Sequence, residues 1–387
     1  MKTAVIYSAK RTAIGSFMGN LSSISASQLG ATAARAALME SGLKPAQIDE
    51  AIMGSVLTAG QGQAPARQVA IFSELPISVR AMTINKVCGS GLKALSLAAD
   101  RIALGRAGFI LAGGMENMSQ CPYYVTKARA GFRMGNQELI DGMIHDGLWD
   151  VYNRFHMGNA AELCAREYKF TREQQDQFAR ESYERALKSI QEGLFKSEIV
   201  GVEIQEKKNK ITVEIDEEPG RGQIEKFSTL RPAFDKEGTV TAANASSLND
   251  GAAALILGPE DEALRHKAMA KIIHTTEYAH EPEWFTTAPV ACVKKLLSET
   301  SLKVGDITSF EINEAFSVVA MAAQKELGIP RDCLNPRGGA VALGHPIGAS
   351  GARLMTTLIH TLKKGEKGIA SLCIGGGEAI AMLVERL

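Results

Sequence analysis

The chain has 387 residues, 45% of them hydrophobic and 22% charged; this is a globular composition at a length that suggests two or three domains. Its 43 basic and 43 acidic residues cancel, which argues against nucleic acid or an anionic membrane as the main partner. No apolar run reaches the roughly 18 residues expected of a membrane helix. The run from Met1 to Tyr7 is too short for a signal peptide, and Val384-Glu385-Arg386-Leu387 is not a clear peroxisomal address. A cytoplasmic protein is expected. The cysteines Cys88, Cys121, Cys164, Cys292, Cys333 and Cys373 are scattered, without a C-x-x-C pair, and read as reduced thiols.

In chain order, Leu43-Lys44 leads through Ile48-Asp49 into an apolar strand, Ala51-Ile52-Met53. A second strand is predicted from Ala81 to Val87. Gly89-Ser90-Gly91 then opens a helix whose Leu92, Leu95, Ala99 and Ile102 share one face. Gly108 to Gly114 reads as a buried strand ending in glycines. The stretch from Ser119 to Thr241 is more charged. It holds a surface helix from Thr171 to Glu192, with Thr171 and Gln174 as a capping pair. Lys207 to Arg221 reads as a polar loop with an edge strand at Ile211 to Ile215.

The first pattern then returns. Leu302-Lys303 leads through Asp306-Ile307 into Phe310-Glu311-Ile312, and a helix from Ala315 to Leu327 stops at Gly328-Ile329-Pro330. Ala349-Ser350-Gly351 opens another helix, and Gly368 to Gly375 is another strand. Gly91 to Gly108 and Gly351 to Gly368 share a spacing of 17 residues, and the two series are offset by 259 to 260. Two copies of an α/β unit are expected, each a buried sheet flanked by helices. The division is 1–118 with 242–268 as one unit, 269–387 as the other, and 119–241 as an inserted loop domain.

Four segments carry chemistry. Cys88 stands between a strand and a helix N-terminus, where the helix dipole favours thiolate; a buried cysteine in a tight turn accounts for that motif equally well. His345 precedes the matching helix of the second copy. If the copies pack about a pseudo-twofold axis, Cys88 and His345 meet at facing helix N-termini and form an activated nucleophile. Cys373 ends a strand before Gly375-Gly376-Gly377, whose N–H groups suit an oxyanion. Asn313, at the start of a helix, is either an N-cap or an amide presented to a reacting group.

Val87-Cys88-Gly89-Ser90-Gly91, Asn313-Glu314-Ala315-Phe316, Asn335-Pro336-Arg337-Gly338-Gly339 through Gly344-His345-Pro346 to Ser350-Gly351, and Cys373-Ile374-Gly375-Gly376-Gly377 together resemble the thiolase family. The resemblance covers essentially the whole chain and includes Leu230 to Asp235 and Thr241 to Ser246. It implies a five-layer α-β-α-β-α fold and reversible Claisen condensation between acyl groups on coenzyme A. Cys88 would be the acylated nucleophile. His345 would activate it and, with a water held by Asn313, stabilise the thioester enolate. Cys373 would move the α-proton. Backbone N–H groups of Cys88 and Gly375 would form a second oxyanion hole. His156, Met157, Arg221, Ser228, Leu230, Phe234, Ala242, Ser246, Ala315 and Phe316 would line the coenzyme A and acyl pocket. No metal or other cofactor is expected, since the coenzyme A thioester is itself the substrate.

Ser119 to Asn153 resembles the tetramerisation loop of the short-chain biosynthetic branch, which implies a homotetramer acting on acetyl-CoA and acetoacetyl-CoA. The alternatives are a degradative enzyme for longer 3-ketoacyl-CoA chains and a non-catalytic acyl-CoA-binding relative. Two departures bear on chain length. Glu378-Ala379 follows the triple glycine, and Trp284-Phe285-Thr286-Thr287-Ala288-Pro289 replaces the family's usual Met-Gly-x-Gly-Pro segment.

Overall fold

A computed structural model of the chain describes residues 2–206 and 209–387. The first half supplies β1 (Ala4–Thr12), α1 (Ala26–Ser41), β2 (Ile48–Gly54), α2 (Pro65–Phe72), β3 (Arg80–Ile84), α3 (Ser90–Ala103) and β4 (Phe109–Asn117). Next come α4 (Met157–Tyr168) and α5 (Arg172–Gln191), then β5 (Asn249–Pro259). The second half supplies β6 (Ala270–Ala279), α6 (Ala288–Thr300), β7 (Ser309–Ile312), α7 (Ser317–Leu327), α8 (Ser350–Thr361), β8 (Lys367–Ile374) and β9 (Glu378–Arg386).

The main sheet runs β7-β8-β9-β6-β1-β5-β4-β2-β3. Read outward from its centre, β6-β9-β8-β7 repeats β1-β5-β4-β2. The parallel partner that β3 gives β2 is reduced in the second copy to one parallel bridge, Phe310 with Leu334. The halves join through the antiparallel pairs Val5–Lys271 and Ile6–Ala270.

Most strands are buried on both faces and read as apolar runs, whereas β3 and β6 are only partly buried. On β5, Ala253, Leu255 and Leu257 face the central layer, while Ala252, Ala254 and Ile256 face α1 and α2. On β9, Ile380, Met382 and Val384 face inward, while Ala379, Ala381 and Leu383 face α6 and α7. The inward faces of both half-sheets close on α3 and α8. The result is five layers, α-β-α-β-α, as the family resemblance implied. Leu92, Leu95, Ala99 and Ile102 all enter that central core.

α3 and α8 touch backbone to backbone at their N-terminal turns. A Cβ on Gly91 would sit 2.7 Å from Ala352 N, and one on Gly351 would sit 2.3 Å from Leu92 N. The repeated glycines exist because no side chain fits at this crossing. The same crowding corrects one reading. β4 does not end at Gly113-Gly114 but runs to Asn117. A Cβ on Gly114 would lie 2.1 Å from Gly348 O, so the glycine marks a close approach inside the strand.

Other boundaries shift. β3 stops at Ile84 rather than Val87, because Val87 turns to a φ of 44°. Asn313 is not an N-cap: α7 begins at Ser317 after Phe316. The helix at Arg172–Gln191 keeps the expected Thr171–Gln174 capping box. The edge strand lies at Asn209–Val213, not Ile211 to Ile215, and pairs with Val202–Glu206; Glu217–Arg221 is a short helix. Lys207 and Lys208 of the predicted loop lie outside the described residues. Among the described residues no helix is long and apolar enough to cross a membrane.

The crossing makes a stability prediction. Gly351→Ala should destabilise the fold by about 1–3 kcal/mol or more, because a Cβ there meets immovable backbone. Gly305→Ala, with nothing within 4 Å of its Cβ, should leave the thermal midpoint nearly unchanged. Equal midpoints in the two variants would refute the close contact.

Candidate active site

Where α3 and α8 begin, one cavity of about 380 Å³ opens. Cys88, His345 and Gly375 line it together with His156, Met157, Phe234, Ala242, Ser246, Ala315 and Phe316. Seven of the ten sequence-predicted pocket residues thus converge. The remaining three do not reach the cavity wall: Arg221 is exposed and pairs with Glu217 at 3.4 Å, and Ser228 and Leu230 lie at the surface. Among the described residues no group of three or more His, Cys, Asp or Glu side chains is placed to hold a metal ion.

Cys88 sits just ahead of α3, whose N-cap is Gly89. Its turn is wound tightly. Lys86 N donates to Ser90 Oγ at 2.8 Å, Ser90 Oγ donates to Val87 O at 2.7 Å, and Asn85 Oδ1 accepts from Val87 N at 2.8 Å. The expectation of a favoured thiolate is not met. Burial pushes the Cys88 thiol up to about 11, and Glu116 adds to the rise. The backbone N–H groups of Gly375 and Cys88 act in the opposite direction, favouring the anion, but they do not overcome desolvation. Cys373, fully buried at the end of β8, is raised well above an ordinary thiol, first by burial and then by the neighbouring Cys88.

His345 is held by a partner that the sequence did not single out. Its Nδ1 lies 2.6 Å from Ser350 Oγ, which in turn donates to Pro346 O at 2.9 Å. With that hydroxyl proton committed, Ser350 Oγ accepts from Nδ1–H, and Nε2 is left with its lone pair. Burial, reinforced by Arg353, lowers His345 to about 3, so the imidazole is neutral. Asn313 Nδ2 approaches Nε2 at 3.3 Å, while Asn313 Oδ1 is buried with no protein partner. Cys88 and His345 do share the cavity, but not as equivalent residues: with the 260-residue offset Cys88 corresponds to Gly348, and His345 to Asn85.

The walls are largely apolar. His156 caps α4 through Nδ1 accepting from Gly158 N at 3.0 Å, and its ring stacks on Phe234 at 4.8 Å. Phe316 meets Phe234 edge-on at 6.0 Å and Phe285 at 6.4 Å. Of the segment that departs from the family pattern, Phe285 enters the wall and Trp284 does not. Met118, Met143, Ile144, Leu148 and Ile347 add to it. None of these stands out in the sequence, because an apolar residue beside a ligand looks like any core residue. Glu116, also passed over, accepts from the backbone N–H groups of Val56, Leu57 and Gly348 at 3.0, 3.2 and 2.9 Å, and burial pushes it up to about 7.

A cysteine, a neutral histidine and an aimed backbone N–H in a largely apolar pocket define an acyl-transfer site. Comparison with known proteins agrees. The thiolase N-terminal domain matches residues 4–261 and the thiolase C-terminal domain matches residues 266–386. An acetyl-CoA acetyltransferase of Yarrowia lipolytica is 49% identical, over 100% of this chain and 97% of that protein. An acetyl-CoA acetyltransferase of Cupriavidus necator is also 49% identical, over the full length of both. The crystal structure of the Acat5 thiolase from Ascaris suum in complex with coenzyme A superposes with a TM-score of 0.95 at 45% identity, covering 100% of both chains. The chain belongs to the thiolase family, and its fold is the thiolase fold.

The electrostatics set an expected pH profile. The rate of Cys88 alkylation by iodoacetamide in the free protein should keep rising with pH beyond 9 and reach half its maximum only near 11. A plateau near pH 7, read by mass spectrometry of the labelled peptide, would instead reveal a preformed thiolate–imidazolium pair.

Proposed function

We propose that the protein is an acetyl-CoA acetyltransferase, interconverting two acetyl-CoA with acetoacetyl-CoA and free coenzyme A. The observation that carries this reading is one apolar cavity lined by Cys88, His345 and Gly375, with the Gly375 N–H on the Cys88 sulfur. The full-length relatives that bear this name support it. A purely acyl-CoA-binding relative would have no use for the intact Cys88, His345, Asn313 and Cys373 set.

In the cleavage direction, Cys88 Sγ attacks the 3-keto carbon while its proton passes to His345 Nε2. The C2–C3 bond breaks, and the Cys373 thiol protonates the acetyl-CoA carbanion as it forms. His345 and an Asn313-held water carry the charge on that thioester's enolate. Coenzyme A then attacks the acetyl group on Cys88, giving its thiol proton to the Cys373 thiolate. Cys88 departs and recovers its proton from His345. Condensation is the reverse sequence, and concentrations set the direction. No metal or redox group enters these steps.

Arg221, Ser228 and Leu230 would contact the distal part of coenzyme A, outside the cavity. The chain would divide into units 1–118 with 242–268, 119–241, and 269–387. The apolar surface at Tyr123, Phe132, Met134 and Leu139, with Met134 96% exposed, favours a loop that other copies cover. We therefore propose a homotetramer, built from dimers and working in the cytoplasm. Deleting Tyr124 to Gly135 should leave active dimers, and a monomeric intact protein in light scattering at micromolar concentration would overturn the assembly.

The two cysteines separate the half-reactions. In Cys373→Ala the nucleophile, His345 and the glycine N–H groups remain, so an acetyl adduct on Cys88 should still form from acetyl-CoA. Condensation should fall by about 10²–10⁴-fold, the usual worth of positioned proton transfer. In Cys88→Ala the adduct should vanish. The opposite pattern by mass spectrometry would reverse the roles. With Phe285, Phe316 and Met157 in the walls, acetoacetyl-CoA should have a higher kcat/KM than an octanoyl-length 3-ketoacyl-CoA; the reverse order would favour the degradative reading.

A further inference from the structure

Glu378, the charged residue after the triple glycine, is part of an ionic cluster that joins the two halves beside the site. On β9 and its neighbour β6, Glu378 faces Ala279, and Glu277 faces Ile380. The two carboxylates therefore lie diagonally on one face, with backbones roughly 7–8 Å apart. That face is the inner one, since Ile380 is in the central core. Unpaired, they would repel each other. Two lysines from the other half meet them: Lys86 contacts Glu378 directly and Glu277 at 3.1 Å, and Lys93 contacts Glu277.

The position of Lys86 gives the cluster its meaning. It lies two residues before Cys88, in a turn whose next residue, Val87, holds a φ of 44°, strained for a β-branched side chain. Glu378 immediately follows Gly376 and Gly377, at φ 95° and 85°, in the turn that presents the Gly375 N–H to Cys88. One ion pair thus fastens the nucleophile turn to the oxyanion turn. Its members are 19% and 38% exposed, open enough for salt to reach.

We infer that Lys86 and Glu378 are positioning residues, clamping the Cys88 turn to the Gly375–Gly377 turn so that nucleophile and N–H donor stay in register. The inference rests on the acyl-transfer reading above. Misplacement of reacting groups by about 1 Å costs up to ~10²-fold.

The test compares wild type, Glu378→Gln, Lys86→Met, the double variant and Lys86→Arg, with acetoacetyl-CoA and coenzyme A as substrates. Both single variants should lose about tenfold or more in kcat, with KM and thermal midpoint nearly unchanged. The double variant should be no slower than the worse single, and Lys86→Arg should retain most activity. Raising potassium chloride from ~0.05 to ~0.5 M should lower kcat at saturating substrate in wild type but not in Glu378→Gln, because screening removes only what the pair supplies. An active wild type with Glu378→Gln unchanged in kcat, with additive losses, or with an equal salt response in both proteins overturns the clamp alone. A wild type without turnover overturns the acyl-transfer reading and the clamp with it.

Discussion

The backbone contact between the N-terminal turns of α3 and α8 is the constraint on which the rest of the molecule depends. Two helices can meet this closely only where Cβ atoms are missing, and Gly91 and Gly351 meet that demand from both copies. Gly114 and Gly348 extend it into the adjoining strand and loop. A Cβ on Gly348 would lie 2.6 Å from Glu116 Oε2, the carboxylate that receives the N–H groups of Val56, Leu57 and Gly348 itself. Glu116 therefore ties the loop after β2 to the loop before α8. Because the helices start at the crossing, the residues just ahead of them, Cys88 and His345, open into one space.

That space is largely apolar, and burial explains its charge states. Burial raises the thiol of Cys88 and lowers the imidazole of His345, so the resting site carries no ion pair. A neutral resting site suits the proposed chemistry. Charge appears there only as the reaction proceeds, in surroundings whose dipoles are already fixed, and fixed dipoles in a low dielectric act more strongly than solvent. The tautomer is fixed in the same way. Ser350, on the first turn of α8, keeps the proton on Nδ1 and points the lone pair of Nε2 away from the helix.

The repeat, the central helix face and the capping box of α5 were legible because each rests on a local pattern: a spacing, a 3.6-residue period, a Thr-x-x-Gln pair. The glycines of β4 were legible as glycines but misread as a strand end. Gly114 answers to a carbonyl of residue 348 and Gly113 to that of Ala253 on β5, partners more than a hundred positions away that no window on the sequence contains. Glu116 was missed for the same reason, since Val56, Leu57 and Gly348 come from loops brought together by the fold; the partners of Ser350, His345 and Pro346, are local, but a serine opening a helix reads first as part of the turn. The thiolate expectation for Cys88 failed differently. A helix dipole can be read locally, whereas desolvation depends on what packs around the sulfur, and here it is the larger effect.

The two thiols are not independent under the proposed mechanism. Burial is the main cause of the elevation of Cys373, and the second is the proximity of Cys88. A thiolate beside another sulfur that can itself carry charge is doubly disfavoured. Once Cys88 bears an acyl group it can no longer ionise, and that second cause disappears while the first remains. At neutral pH that second cause is already idle, because the free Cys88 thiol is itself protonated, and burial is what keeps the proton on Cys373 in both states.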